Sequence, residues 1–500
     1  MSGTGRSKRK KYYALHTWLG FHLALLMSLV LLTGTLATIS NEIDWLIQAD
    51  MRIAPADGEV AWKRMETAIR QHAPGHNLLS VSSMGHDWMA YRARLTDEFG
   101  KPYFMHVNQW TGEVTGTTPI LTVQRFIRDL HRYLFMPSVI GLPLVTSMAF
   151  VLAVSLFTGL KTTRQWRKMA TRIRTHRGLR VTMGDAHKAG GLWASWFIVL
   201  MIITGVWYLA EFGSQLAESP FEPSRPGVNL ERFKDHPVIL PAQGVADLVA
   251  SAQRAYPELK VKQVFMPGSA QGAAIVTGRN RDILIRDRAN RVFLNPVNGD
   301  VIEVQRASDL AWTAYLNELA DPLHFGYFAG LTTKLLWFVF GMILTSLSFT
   351  GVWLTWKRLG SHQLSRQQLM TLPVLLGMLV ASVFYFDRLL GPNLAESEFD
   401  AGKVTQEDIT AQLFLAQSDN SQFDGRARIR LSVPYGRPNL GSATLQLGHA
   451  EPAELKVRGG IGHSTRLDTV LPTLRTSTAT DLMLTMKMRN GAQLKMVWSL

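Results

Sequence analysis

The chain has 500 residues, 47% of them hydrophobic, with 14 Trp, no Cys and a formal net charge of +15. Its apolar residues are bunched into runs of about 20, the length that crosses a bilayer core, so the usual division of a long chain into soluble domains does not apply. The absence of Cys excludes disulfides, covalently attached c-type haem and Cys-ligated iron–sulfur clusters.

Residues 1–13 hold Arg6, Lys8, Arg9, Lys10 and Lys11 and no acid. The run Leu15–Ile39 follows and predicts a first transmembrane helix over 14–40. It is too long for a signal-peptide core and lacks a small-residue cleavage site, so it is expected to be retained. In 41–137, Ala61–Gln71 has the period of an amphipathic helix, and short alternating strands lead to the turn Asn108-Gln-Trp-Thr-Gly-Glu-Val114. Ser138–Leu160 predicts the second span, over 138–160. In the next segment, 161–188, residues 161–186 carry eight basic side chains and one acid, Asp185. Ala189–Ala210 predicts the third span. Segment 211–334 again shows a helix, Val245–Ala255, then strands and the turn Asn295-Pro-Val-Asn-Gly-Asp-Val301. Leu335–Trp356 predicts the fourth span, and 357–370 adds Lys357, Arg358 and Arg366. A shorter run, Leu372–Phe386, predicts a fifth span within 371–390. In 391–500, Arg428–Val433, Ala443–Leu447 and Leu482–Met488 alternate like strands, and Asn490-Gly491 marks a hairpin to Leu494–Trp498.

Residues 1–13, 161–186 and 357–369 together account for the whole positive excess, and they alternate with the other segments across the spans. This is the positive-inside distribution, and it makes nucleic-acid binding unnecessary. It places the N-terminus in the cytoplasm of a bacterial inner membrane and the C-terminus in the periplasm. The fold expected is an integral membrane α-helical bundle of five transmembrane helices, with two periplasmic α+β domains and a C-terminal β-rich periplasmic domain.

The chain also repeats itself. His16 precedes Thr33-Gly34, and His187 precedes Thr204-Gly205, by the same 17 and 18 residues; Gly20 and Gly191 each lie four after their His. His131 precedes Thr158-Gly159 and His324 precedes Thr350-Gly351 at nearly equal spacing. His16 and His187 fall at the inner ends of spans one and three, His131 and His324 at the outer ends of spans two and four. Ionisable side chains at membrane depth usually have a partner or a task. For one such His the ordinary reading is interfacial anchoring or helix–helix hydrogen bonding. Their twofold repetition favours two facing imidazole pairs, His16/His187 and His131/His324, as axial ligands of two b-type haems in a bundle core. Gly20 and Gly191 would clear space on the same helical face for a flat macrocycle.

Zinc or copper needs three or four ligands, and no Asp, Glu or Cys joins these pairs. Asp129, Asp185 and Asp321, just before three of the histidines, are read as hydrogen-bond acceptors or helix N-caps. His72, His76, His86, His106, His236, His449 and His463 in the outer segments, and His176 and His362 in basic loops, are read as ordinary surface or hydrogen-bonded residues. His22, whose repeat equivalent is Trp193, is left unassigned. Trp18, Trp166, Trp207, Trp353 and Trp356 read as interfacial belt residues.

His16-Thr-Trp18-Leu-Gly20, Asp-Leu-His131-Arg, Asp-Pro-Leu-His324-Phe-Gly and the paired Gly-Glu-Val and Gly-Asp-Val turns resemble the PepSY-associated transmembrane helix family over about residues 12–360. The resemblance implies a bacterial inner-membrane protein linked to iron uptake, similar to dihaem ferric-siderophore (ferrioxamine) reductases with two periplasmic PepSY domains. It also implies that the four repeat histidines ligate haem iron. The function expected is electron transfer from a quinol or cytoplasmic flavin donor to a periplasmic acceptor such as a ferric siderophore. Residues 371–500 depart from the family pattern. Two further readings are a non-enzymatic PepSY-type binding or assembly module and a siderophore or metal transporter; the spans show few of the midplane polar residues and breaks a transporter needs.

Overall fold

A computed structural model describes residues 3–97, 101–163, 165–268, 272–282, 284–359, 376–378, 380–385, 398–417, 423–433, 436–458, 464–470 and 481–499. Among the described residues, three helices are long and apolar enough to cross a membrane, Ser138–Thr162, Ser195–Leu216 and Gly330–Arg358. A fourth candidate is the pair Ser7–Gly20 and Leu25–Thr38, bent by 67°. In chain order the helices are α1 (Gly3–His22), α2 (Ala24–Thr38), α3 (Ser40–Ile47), α4 (Trp62–His72), α5 (Val123–Tyr133), α6 (Ser138–Thr162), α7 (Trp166–Thr171), α8 (Leu179–Trp193), α9 (Ser195–Leu216), α10 (Val245–Ala255), α11 (Trp312–Phe325) and α12 (Gly330–Leu359). Inside the apolar spans, Thr33, Thr146, Thr158, Thr204 and Thr350 each bond back to the carbonyl four residues earlier. That satisfies a hydroxyl where lipid offers it nothing.

The bundle core packs α6 on α9 and α2 on α12. The first span is not the single helix expected over 14–40, and the third is not a single helix from 189. Leu23 (φ −104°, ψ 1°) separates α1 from α2, and Ala194 (φ −86°, ψ 2°) separates α8 from α9. Each break falls seven residues after its repeat histidine, behind Gly20 or Gly190-Gly191, where helix propensity is low. The break is thus part of the repeat. Hydropathy cannot register it, because the flanking residues stay apolar.

The segments 41–137 and 211–334 meet in one antiparallel sheet. Its strands are β1 (Asn77–Ser82), β2 (Tyr91–Thr96), β3 (Pro102–Val107) and β4 (Val114–Pro119) from the first segment. The second supplies β6 (Lys260–Phe265), β7 (Ala274–Arg279), β8 (Asn290–Leu294) and β9 (Val301–Gln305); the short β5 (Ile239–Leu240) lies apart. The order is β4-β3-β2-β1-β6-β7-β8-β9. The join is β1 to β6, with Val81 opposite Val264. Joining the two halves pairs a strand edge that each would otherwise leave open. Helices α4 and α10 lie against each other over this sheet. Met65, Ile69, Val81, Val264, Leu248 and Val292 belong to one continuous core.

The C-terminal strands β10–β19, apart from β13, form a sandwich. One sheet runs β10 (Glu398–Gln406), β11 (Ile409–Gln417), β12 (Phe423–Ser432), β17 (Ser464–Val470), β16 (Lys456–Arg458); the other runs β15 (Ala453–Glu454), β14 (Leu440–Leu447), β18 (Asp481–Met488), β19 (Gln493–Ser499). The expected hairpin at Asn490-Gly491 is the β18–β19 connection. Both sheets share one core, with Ile429, Leu445, Leu484 and Met496 inside it. The sandwich docks on the second outer segment through β13 (Arg437–Pro438), which pairs with β5. Of the expected fifth span, Leu376–Tyr385 forms a shorter apolar helix and the rest of 371–390 lies outside the described residues. His362, Arg366, His463 and the His22 side chain also lie outside them.

Candidate histidine-pair sites

The four repeat histidines come together as two pairs, one at each end of the bundle. At the basic end, His16 on α1 faces His187 on α8 with ring centroids 6.3 Å apart and planes at 76°. At the sheet end, His131 on α5 faces His324 on α11, also at 6.3 Å, with planes at 36°. Two metal–nitrogen bonds of about 2 Å plus two imidazole radii come to about 6 Å. Both pairs therefore have the spacing of two imidazoles on opposite faces of one metal ion. Among the described residues, no three His, Asp or Glu gather as a metal site.

The hydrogen bonds settle which ring nitrogen faces inward. His131 Nδ1 lies 3.0 Å from the Val30 carbonyl and His16 Nδ1 lies 3.0 Å from the Ser155 carbonyl. A carbonyl only accepts, so both Nδ1 atoms carry the proton. His187 Nδ1 lies 2.9 Å from Thr350 Oγ1 and His324 Nδ1 lies 2.8 Å from Thr204 Oγ1. Each of those hydroxyls already donates to its own helix, at Ser346 and Leu200, and so accepts from the imidazole. All four rings are then Nδ1–H tautomers with a bare Nε2 lone pair. That is the arrangement by which proteins orient metal-binding imidazoles.

The Thr-Gly pairs explain why the rings lie so close to neighbouring helices. A Cβ at Gly34 would stand 2.7 Å from His131 Cε1; at Gly159 it would stand 3.4 Å from His16, and at Gly351 3.5 Å from His187. Span one thus receives the histidine before span two, and span two receives the histidine before span one. Spans three and four do the same through Thr204 and Thr350. Gly205 differs, since it packs on Ala149. A Cβ on Gly20 or Gly191 would meet nothing within 4 Å. The repeat spacing marked the Thr-Gly pairs, but it associated Thr33-Gly34 with His16 on the same span, and the structure gives them to His131.

The sheet-end pair lines a cavity of ≈ 540 Å³, within the range of about 300–1,000 Å³ for ligand sites. Helix α5 is set there by its N-cap Thr122, which accepts from Arg125 N, and by Asp44, which accepts from Val123 N at 2.8 Å. From the second outer segment Arg286 reaches the cavity and pairs with Asp321, three residues before His324. Burial pushes the Asp321 carboxyl up, but the Arg286 charge and hydrogen bond outweigh it and hold the pKa below its ordinary value. Glu318 is raised, by burial above all, although Arg288 and Arg286 pull it down. Tyr208 donates to Asp321 at 2.6 Å, and its ring stands edge-on to His324 at 5.2 Å. Sequence reasoning proposed Asp321 only as an acceptor or cap and missed Arg286 and Tyr208, which lie 35 and 113 residues from it.

A membrane helical bundle with histidine pairs at both ends and one sheet shared by segments 41–137 and 211–334 defines the class of this protein. The chain belongs to the PepSY-associated TM region family, whose model matches residues 13–358. That match takes in all four histidines and stops at the end of α12, so the C-terminal sandwich lies beyond it. No curated protein matches the chain.

Proposed function

We propose that the protein is a dihaem b-type oxidoreductase of the inner membrane. It would pass electrons from a quinol or cytoplasmic flavin donor to an outer acceptor, a ferric siderophore by the family likeness. The observation that carries this reading is the pair geometry: two His pairs at 6.3 Å, with every Nδ1 tied back and, among the described residues, no hydrogen-bond partner on any Nε2. His16 and His187 would hold one haem, His131 and His324 the other. Such a group, when bound, would supply one-electron transfer, which suits relay across the membrane. The chain's own part is to fix the imidazole tautomers, to bury the pairs among apolar helices and to close the sheet end with residues of both outer segments.

The proposed topology has five spans, with the basic end in the cytoplasm and the sheet end in the periplasm. Support comes from how the chain leaves α12. That helix starts behind His324 and ends beyond Gly351, which packs on His187, so it finishes at the basic end. The C-terminal sandwich nevertheless pairs with β5 at the sheet end. A further crossing between Leu359 and Glu398 reconciles the two, and the apolar run over 371–390 is the segment available for it.

The deciding measurement is a reduced-minus-oxidised absorption spectrum with haem quantification on purified protein. Two low-spin b haems per chain are expected. Alanine at His16 or His187 should remove one, alanine at His131 or His324 the other. Two haems retained in all four variants, or none in the wild type, would refute the assignment. For the acceptor, the reduced protein is mixed with ferric siderophores one at a time. Reoxidation faster than in buffer, lost in His324→Ala, is expected; no acceleration by any ferric chelate removes the siderophore but not the electron transfer.

A further inference from the structure

The charges around the sheet-end cavity are unevenly satisfied. Arg286 pairs with Asp321 and Glu318, and Arg288 pairs with Glu318 and Glu222. Two other arginines line the same cavity, Arg128 and Arg132. Among the described residues neither has a carboxylate within 4.0 Å or a hydrogen-bond partner; Asp321 and Asp129 attract Arg128 from farther off, and Arg132 lies over the Tyr133 ring, 5.0 Å from its centroid. A guanidinium lining a cavity without a carboxylate in contact is satisfied best by an anion arriving with a ligand.

Their place in the sequence says what that anion belongs to. On α5, positions 128, 131 and 132 fall within an arc of about 100°, and all three side chains line the same cavity. The repeat does not preserve this. At the equivalent positions around His324 stand Asp321 and Phe325, one acidic and already paired, one apolar. A planar ligand between the two imidazoles therefore meets arginines without a carboxylate in contact along the α5 edge only.

We propose that Arg128 and Arg132 bind the two carboxylates on the edge of the haem held by His131 and His324, and so set its orientation in the cavity. This rests on the haem reading above and adds the anchor of its anionic edge. Guanidinium forks match carboxylates in a way that no other pair of groups free in this cavity does. The same charges also favour the reduced, less positive state of that haem over the oxidised one.

The test uses the full-length protein in detergent and compares wild type with Arg128→Gln, Arg132→Gln and the double variant. Haem is extracted, and the apoprotein is reloaded with haem or with its dimethyl ester, which lacks the carboxylate charges. At the His131/His324 site the wild type should prefer haem by about tenfold or more, and the double variant should bind the two alike. The midpoint potential of that haem should fall in the double variant. The Arg128→Lys/Arg132→Lys protein should recover part of both effects. The other haem, at His16/His187, serves as the folding control and should keep its spectrum and potential. If the double variant retains the preference and the potential, the inference fails while the haem reading stands. It also fails if the only loss is reoxidation by an anionic ferric chelate, since the arginines would then serve the acceptor. Wild-type protein without haem would overturn both.

Discussion

Gly34 shows how tightly the sheet-end ring is held. With a methyl group there, a carbon would stand 2.7 Å from His131 Cε1, closer than van der Waals contact allows. The ring cannot slide along α5 without giving up its bond to the Val30 carbonyl. Overpacking of this kind costs about 1–3 kcal/mol, and here it falls on the ring's orientation. Gly34→Ala is therefore expected to lower occupancy at His131/His324 while His16/His187 is retained. Gly351→Ala, at 3.5 Å from His187, is ordinary contact and should leave both unchanged. Haem content of the two variants, measured side by side, checks this. At this scale the histidines themselves were legible, because their repetition is internal to the chain. Their acceptors were not, since Val30 lies 101 residues from His131 and Thr204 lies 120 from His324.

Strand β3 carries a buried histidine with an assignable response to pH. His106 is 1% exposed, bonds Thr118 Oγ1 through Nε2 at 2.9 Å and leaves Nδ1 without a partner. Burial first, and the nearby Arg92 charge second, push its pKa down to about 4. In the unfolded chain it is about 6.5. Between these values the unfolded chain binds a proton that the folded sheet refuses. Stability is thus complete above pH 6.5 and declines as the pH falls toward 4, by roughly 3 kcal/mol in all. Pulse proteolysis of the outer sheet in urea at pH 7, 5.5 and 4.5 should show this decline, and His106→Gln should flatten it. Helix α10 stands where the apolar period of Val245–Ala255 puts it, because an amphipathic face is a local pattern. The fusion of two strand sets into one sheet is not local. It depends on Ser80, Val81 and Ser82 meeting Phe265, Val264 and Gln263 across more than 180 residues.

Across the whole molecule, the docking of the C-terminal sandwich is the feature with the most bearing on topology. At Gly436 (φ 141°) a Cβ would stand 2.1 Å from the Leu240 carbonyl oxygen, so only glycine lets β13 approach β5 this closely. Asn439 then donates from Nδ2 to the Phe233 carbonyl at 3.0 Å, and Arg489 pairs with Glu231. The sandwich therefore packs against the segment that carries β5, as the proposed crossing after α12 requires. An alkaline phosphatase fusion after Ser499 should be active and one near Arg174 inactive; activity in the opposite pattern would refute the orientation. Sequence alone determined the membrane class, the repeat, the four histidines and the β-rich C-terminal region. Each of these is written in local composition or in spacing along the chain, which hydropathy, charge and internal self-comparison can read. Only the tertiary structure decided the breaks at Leu23 and Ala194, the reciprocal seating of each histidine on its neighbouring span, the single shared sheet and the placement of Arg128 and Arg132 at the cavity of the sheet-end pair. Those depend on which surfaces meet across a hundred residues or more, and close packing, rather than any nearby pattern, selects that meeting.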